Sequence, residues 1–167
     1  EDPLTVVVPA WSTKSIVQTT PVSDKDNLLT VTLQANYDLS EGSTVTITGL
    51  AGTQTSTSTS LTISSSNKFG STGNWNNDGT LILTVGSSQT VTQGQDVVVT
   101  FTVKNSNADY TSPTVNVVAD MIVSGSSIGA IAQAAMDKPG GDKYGITDGE
   151  DPLTVVVPAW STKSIVQ

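Results

Sequence analysis

The chain has 167 residues, a net charge of −8, and no histidine, cysteine or arginine. Without histidine and cysteine it lacks the commonest proton-transfer side chain and the usual ligands of zinc, copper and iron. Fifteen carboxylates against seven lysines argue against binding along a phosphate backbone, so nucleic acid is not an expected partner. The composition therefore predicts a protein that is not an enzyme and uses no cofactor.

An eighteen-residue segment, EDPLTVVVPAWSTKSIVQ, occurs twice without a substitution, at Glu1–Gln18 and at Glu150–Gln167. The offset of 149 residues predicts one structural unit of about that length. An array of near-identical units explains the recurrence, and a deliberately appended second copy is the alternative. The sequence has no initiator Met at residue 1, no secretion signal and no membrane span, so it is expected to be a window on a longer polypeptide.

Between residues 28 and 119, apolar and polar residues alternate with a period of two, which is typical of strands with one buried face. The side chains expected to face inward are Leu29, Val31, Leu33, Ala35, Val45, Ile47, Leu61, Ile63, Leu81, Leu83, Val85, Val97, Val99, Phe101, Val103, Val115, Val117 and Ala119. Six or seven such strands predict an all-β fold, an antiparallel, immunoglobulin-like β-sandwich. The one helix candidate is the Ala-rich stretch Ser127–Met136, which Gly129 weakens.

Two polar stretches inside the period invite a binding role. Thr53–Thr59 places Thr at every second position, which suits an ice-binding row, an edge strand, a loop or an O-glycosylated patch. Asn74–Gly79 (NWNNDG) resembles the start of a calcium loop, but Val85 occupies the position of the closing Glu. We therefore expect a hairpin turn there.

The end of the period predicts a junction between units. Lys138–Pro152 is rich in Gly, Pro and Asp and reads as turns or a hinge. We expect residues 1–9 to be the final strand of a preceding repeat, 10–157 one repeat unit, and 158–167 the first strand of the following repeat. A lone period would then be completed only by its neighbours. The apolar residues expected at the junction are Leu4, Val6, Val8, Trp11, Ile16, Leu153, Val155, Val157, Trp160 and Ile165.

Other candidate sites are weaker. Asp148, Glu150 and Asp151 could hold Ca²⁺ loosely at the junction, although solvated turn residues are the simpler reading. Trp11, Trp160 and Trp75 could stack on sugars, but packing between units and plugging one end of the fold are simpler roles. The many Ser and Thr residues allow O-glycans, whereas no Asn-x-Ser/Thr sequon occurs.

Three segments together resemble a known repeat module. They are SIVQTTPVSDKDNLLTVTLQANYDLSEGSTVTITGLAGTQT, FGSTGNWNNDGTLILTV and VVVTFTVKNSNADYTSPTVNVVA, and the DPLTVVVPAWSTKSI junction also fits. The module is found in very long extracellular polypeptides of single-celled algae and related protists. The resemblance implies a surface or appendage protein, flagellar hairs included, and it supplies no catalytic residues.

The function expected from these patterns is mechanical: a non-catalytic repeat of an extracellular filament, flagellar hair or coat, assembled by strand complementation between successive units. Its expected partners are copies of itself. The alternative is a spacer or ligand-binding repeat of a long adhesin that recognises glycan or ice. A glycan-active enzyme with paired carboxylates is the third class, and no two acids in the sequence sit in a context expected to raise the pKa of one of them.

Overall fold

A computed structural model describes residues 6–65, 67–160 and 162–165. Regular structure in these residues is entirely β, which confirms the predicted all-β class. The eleven strands are β1 Trp11–Gln18, β2 Asp26–Ala35, β3 Leu39–Ser40, β4 Thr44–Thr48, β5 Ser58–Ser64, β6 Thr72–Asn76, β7 Thr80–Thr84, β8 Thr90–Val91, β9 Val97–Lys104, β10 Asn116–Val123 and β11 Ser126–Ala135.

Nine of these strands form one antiparallel sheet in the order β1-β2-β9-β5-β6-β7-β4-β10-β11. The sheet curves until its two edges meet at Asp137, two residues after the end of β11. The Asp137 amide donates to the Lys14 carbonyl at 2.7 Å, and the Ile16 amide donates to the Asp137 carbonyl at 3.1 Å. The sheet is therefore nearly closed and barrel-like, which leaves little free strand edge. β3 and β8 pair separately as a two-stranded sheet.

Strand β5 connects the two sides of this sheet. It pairs with β6 through Ser58, Leu61 and Thr62 and then with β9 through Ile63 and Ser64. Hydrogen bonding thus passes from one side to the other without a break, and the two-sheet, immunoglobulin-like division stays a prediction.

Within the described residues, no helix has the length and apolar character needed to cross a membrane.

The core confirms the alternation that predicted the strands. All the expected inward side chains are buried except Leu61, which is half-buried against the core. Trp75, expected to plug one end of the fold, is fully buried, with its ring centroid 6.5 Å from that of Phe101. Its indole N–H donates to the Thr55 carbonyl at 3.2 Å, so the one polar atom of this large side chain is satisfied.

The turn after Trp75 is the predicted hairpin turn. It joins β6 to β7, and the Gly79 amide donates to the Asn76 carbonyl at 3.0 Å. The Asp78 carboxylate accepts from the Thr80 amide at 2.9 Å, so it is used within the turn. Gly79 has a φ of +91°, a conformation that glycine adopts without strain.

The helix expected over Ser127–Met136 is wrong, because residues 127–135 belong to β11. Ser124 and Gly125 both have positive φ, at 50° and 80°, and Val123 pairs with Ser126. A two-residue turn of this kind matches the twist of the flanking strands and sends the chain back along β10. The hairpin ladder therefore overrides the helix propensity of the alanines.

We expect Gly79→Ala to destabilise the fold far more than Gly94→Ala. A Cβ at Gly79 would lie 2.2 Å from the Ala51 amide nitrogen, whereas a Cβ at Gly94 meets nothing within 4 Å. Both residues have positive φ, so Gly94→Ala isolates the conformational cost of about 1 kcal/mol. Gly79→Ala should cost at least about 3 kcal/mol, since backbone must also move. Urea unfolding measures both, and equal costs would contradict the close approach.

Candidate inter-repeat junction

The two copies of the repeated segment occupy different environments. We call Glu150–Val157 the closing segment, because its earlier apolar side chains pack into the body of the fold, whereas Val157 at its end is 42 % exposed. Leu153 is 1 % exposed and Val155 is 2 % exposed. In the other copy, Val6, which is equivalent to Val155, is 84 % exposed, and Val8 is 75 % exposed. Leu4 lies outside the described residues.

The main chain of the closing segment is held from two sides. Val155 and Tyr110 exchange both of their backbone hydrogen bonds, each 2.8 Å long. On the other side, the Val156 amide donates to the Pro21 carbonyl at 2.7 Å, and the Ser23 amide donates to the Val156 carbonyl at 3.2 Å. The segment therefore lies between the loop after β1 and the loop after β9.

A buried glutamine fixes the register of the closing segment. The Gln18 side-chain amide donates to the carbonyls of Thr154, at 2.8 Å, and Gly149, at 3.0 Å. Its side-chain oxygen accepts from the Leu153 amide at 2.8 Å and from the side chain of Asn27 at 2.7 Å. Gln18 is 1 % exposed, so no water molecule can take its place as the hydrogen-bond partner of these groups.

Two buried asparagines complete what we call the amide cluster, Gln18, Asn27 and Asn105. The second N–H of Asn27 donates to the Asn105 side-chain oxygen at 2.8 Å. Asn105 in turn donates to the carbonyls of Thr20 and Val22, both at 2.9 Å. Each of the three amides uses both of its N–H groups, so the cluster is fully satisfied only with the closing segment in place.

The second half of the repeated segment behaves in the opposite way. In the first copy it is β1, which pairs with β2; Ile16 is buried and Trp11 packs half-buried against the core. In the second copy the equivalent side chains, Trp160 and Ile165, are 82 % and 95 % exposed. Over the residues that the structure describes, each copy therefore buries apolar side chains of one half and exposes those of the other.

Asn36 holds the residues that lead into β1. Its side-chain oxygen accepts from the Ala10 amide at 2.7 Å, and its side-chain N–H donates to the Val8 carbonyl at 3.0 Å. At the other end of the fold, the Val157 amide donates to the Asp109 carboxylate at 2.7 Å. Val8 and Val157 occupy the same position of the repeat. The carbonyl of this residue accepts from Asn36 in the first copy, and its amide donates to Asp109 in the second.

The acidic candidates take part in turns. Asp151 is buried, and its carboxylate accepts from the Gly140 amide at 2.8 Å. The Asp148 carbonyl accepts from the Asp151 amide at 3.0 Å, and the Glu150 carboxylate lies 3.9 Å from the Lys143 ammonium. In the described part of the chain, no three acidic, His or Cys side chains form a group that could hold a metal ion.

Sequence reasoning missed the amide cluster, although a signal for it existed. Asn27 shares the inward parity of Leu29 in β2, and Asn105 continues the inward series of Phe101 and Val103. Gln18 similarly follows Ile16 on the buried face of β1. A polar residue at an inward position marks either an exposed strand end or a buried, paired group, and here it is the second.

No family model matches this chain, and no curated protein matches it. One solved structure, described as "AvmM Catalyzes Macrocyclization in Alchivemycin A Biosynthesis", is similar over 74 % of this chain and 86 % of that chain. The two share 8 % sequence identity, with a TM-score of 0.40. A likeness at this level carries no argument about the role of the chain.

We expect Gln18→Ala to destabilise the fold by about 3 kcal/mol or more. The substitution leaves buried hydrogen-bond donors and acceptors of the closing segment without partners. The matched control is Gln133→Ala in β11, whose side chain is exposed and should change stability by less than about 0.5 kcal/mol. Urea unfolding monitored by tryptophan fluorescence gives both values. A Gln18→Ala cost no larger than that of the control would show that the cluster does not hold the segment.

Proposed function

We propose that this chain carries one structural repeat, with parts of its two neighbours, of a non-catalytic extracellular filament, flagellar hair or coat. One observation carries the proposal: identical copies of one segment bury opposite halves. Among the described residues, the first half packs into the fold in the second copy, where it closes the unit, and the second half packs into the fold in the first copy, where it opens the unit.

A tandem array uses both halves of every copy. Trp160 and Ile165 would form β1 of a following unit, just as Trp11 and Ile16 form it here. Val6 would close a preceding unit, just as Val155 closes this one. Burying each large apolar side chain is worth about 1.5–3 kcal/mol, so an array gains stability at every junction that an isolated copy forgoes. This is strand complementation between successive units along one chain.

The junction in such an array would be short and stiff. The amide of each Val157-type residue is held by Asp109 of its own unit, while its carbonyl would be held by Asn36 of the next, as the Val8 carbonyl is here. The next residue is a proline, whose φ is fixed near −65°. Little torsional freedom is left between units, which suits a filament rather than a flexible tether.

We further propose a shape for the repeat unit and a location for the protein. The partner change within β5 supports a flattened body with two faces, the immunoglobulin-like sandwich expected from the strand pattern. An extracellular location and O-glycans on the Ser/Thr-rich surface agree with the resemblance to repeat proteins of protist surfaces. Weak Ca²⁺ binding at the junction is no part of the proposal.

The alternative is that the repeats are spacers or binding modules of an adhesin. The Thr53–Thr59 row is partly used inside the fold, since Thr55 accepts from the Lys104 amide at 2.7 Å and from the Trp75 indole. Trp160 is exposed beside an apolar cleft with Val157 and Tyr144, which would suit a sugar. In an array the same tryptophan would belong to β1 of the following unit and would pack against the core of that unit, as Trp11 does here.

We expect a recombinant protein of three consecutive periods to form a straight rod of three equally spaced bodies, because each internal copy of the segment then has a unit on both sides. Negative-stain electron microscopy would show the rod, and images of the native material should show the same axial spacing. Independently tumbling bodies would contradict the filament. Capture of a single unit on glycan or ice would instead favour the adhesin.

The stiffness of the junction can be tested in the same three-period protein. Asn36→Ala combined with Pro158→Gly in every period should shorten the maximum dimension measured by small-angle X-ray scattering, since the units gain freedom to bend. The Tm of the units should change by less than about 4 °C. Asn107→Ala, at an exposed asparagine, is the control and should leave the rod straight. An unchanged maximum dimension in the combined variant would contradict the proposed role of Asn36 and Pro158 in stiffening the junction.

A further inference from the structure

The closing segment lies in a groove that recognises it in detail. We call this the acceptor groove and define it by Gln18, Pro21, Val22, Asp109 and Tyr110. Its contacts with the segment are mainly to backbone groups, and the Leu153 and Val155 side chains enter the core. An extended peptide held by main-chain bonds, with alternate side chains in apolar sites, is a general mode of peptide recognition.

A second peptide of identical sequence is present in every chain. Residues 1–8 repeat residues 150–157, and Val6, Val7 and Val8 are exposed. Every group that the acceptor groove reads in the closing segment is therefore duplicated in this copy. The one contact without a counterpart is the hydrogen bond from Gln18 to the Gly149 carbonyl, which precedes the repeated segment.

The first copy cannot reach the groove of its own chain. Val8 would have to lie beside Asp109, as Val157 does at the other end of the fold. Asn36 holds Ala10 at the far end of β1, which places Ala10 roughly 25 Å from Gln18 at the usual rise per strand residue. Val8 is two residues before Ala10, and two residues span at most about 7 Å. Only another molecule can bring this copy to the groove.

We propose that the acceptor groove binds residues 2–8 of a second copy of this chain, so that separate chains join head to tail by exchange of identical segments. The inference rests on the proposed function and extends it from covalently linked repeats to the joining of separate chains. The attached closing segment competes at an effective concentration of order mM, so exchange dominates only when that segment is displaced or the chains are concentrated. No new contact is needed, because the bonds are those already seen at Val155 and Val156.

The first test opens the groove in the full-length chain. Leu153→Asp places a charge at a buried site and should release the closing segment while leaving the first copy intact. By light scattering after gel filtration, the average mass of this variant should at least double as its concentration is raised from micromolar to near-millimolar. Leu4→Asp combined with Leu153→Asp removes the donor and should abolish this rise. Identical profiles for the single and double variants, monomeric or aggregated, would overturn the proposal.

A second test leaves the closing segment unaltered. Val155 and Tyr110 form a hydrogen-bonded antiparallel pair, whose Cα separation of about 5.5 Å suits a disulfide. The chain has no cysteine of its own. A Val6→Cys protein and a ¹⁵N-labelled Tyr110→Cys protein, refolded together near millimolar concentration and oxidised, should yield the mixed disulfide dimer by intact mass.

Val7→Cys is the matched donor control. It is exposed like Val6 but is equivalent to Val156, which bonds to Pro21 and Ser23 rather than to Tyr110. Its mixed dimer should be several-fold less abundant. Equal yields from the two donors, or no mixed dimer from Val6→Cys, would refute exchange. Either result would leave the covalent array untouched, because the rod of three joined periods is measured without any exchange between chains.

Discussion

The buried amide cluster is the constraint on which the unit depends. Gln18, Asn27 and Asn105 lie at the ends of three strands, in a region from which water is excluded. An unpaired amide there would cost about 1–3 kcal/mol, and the cluster finds its last partners only on the closing segment. Folding of the barrel and docking of residues 150–157 are therefore coupled. A segment far away in sequence becomes obligatory because three polar side chains are placed where only its backbone can satisfy them.

Alternation alone predicted most of the strands. In β2, β4, β7, β9 and β10 the buried apolar residues fall at every second position, and burial of one face fixes such strands without knowledge of their neighbours. β11 was missed because it has a single buried aliphatic residue, Ile131, and is otherwise rich in Ala, Ser and Gly. Its strand conformation comes from pairing with β10 across a tight turn, and that information is not local.

The proposed junction can be outlined from the sequence, but its contacts cannot. The repeated segment indicates where it lies, because identical residues at 1–18 and 150–167 mark the two limits of one period. Which inward polar residues meet there depends on β2 lying beside β1 and β9, and sequence parity gives the face of a residue but not its neighbour. The grip of Asn36 and Asp109 on one repeat position was also hidden. It becomes visible only when two copies of that position, each in a different setting, are compared.

The unequal attachment of the two halves has a mechanical consequence. β1 is secured along its whole length by a ladder to β2, whereas the closing segment is held by separate bonds at a few points. Tension along an array would enter a unit through one and leave through the other, so the closing segment would yield first. Its eight residues would add up to about 27 Å of length per unit when pulled straight. A fibre that is rigid at rest would then be extensible under load, and it would recoil when the segment returned to its place.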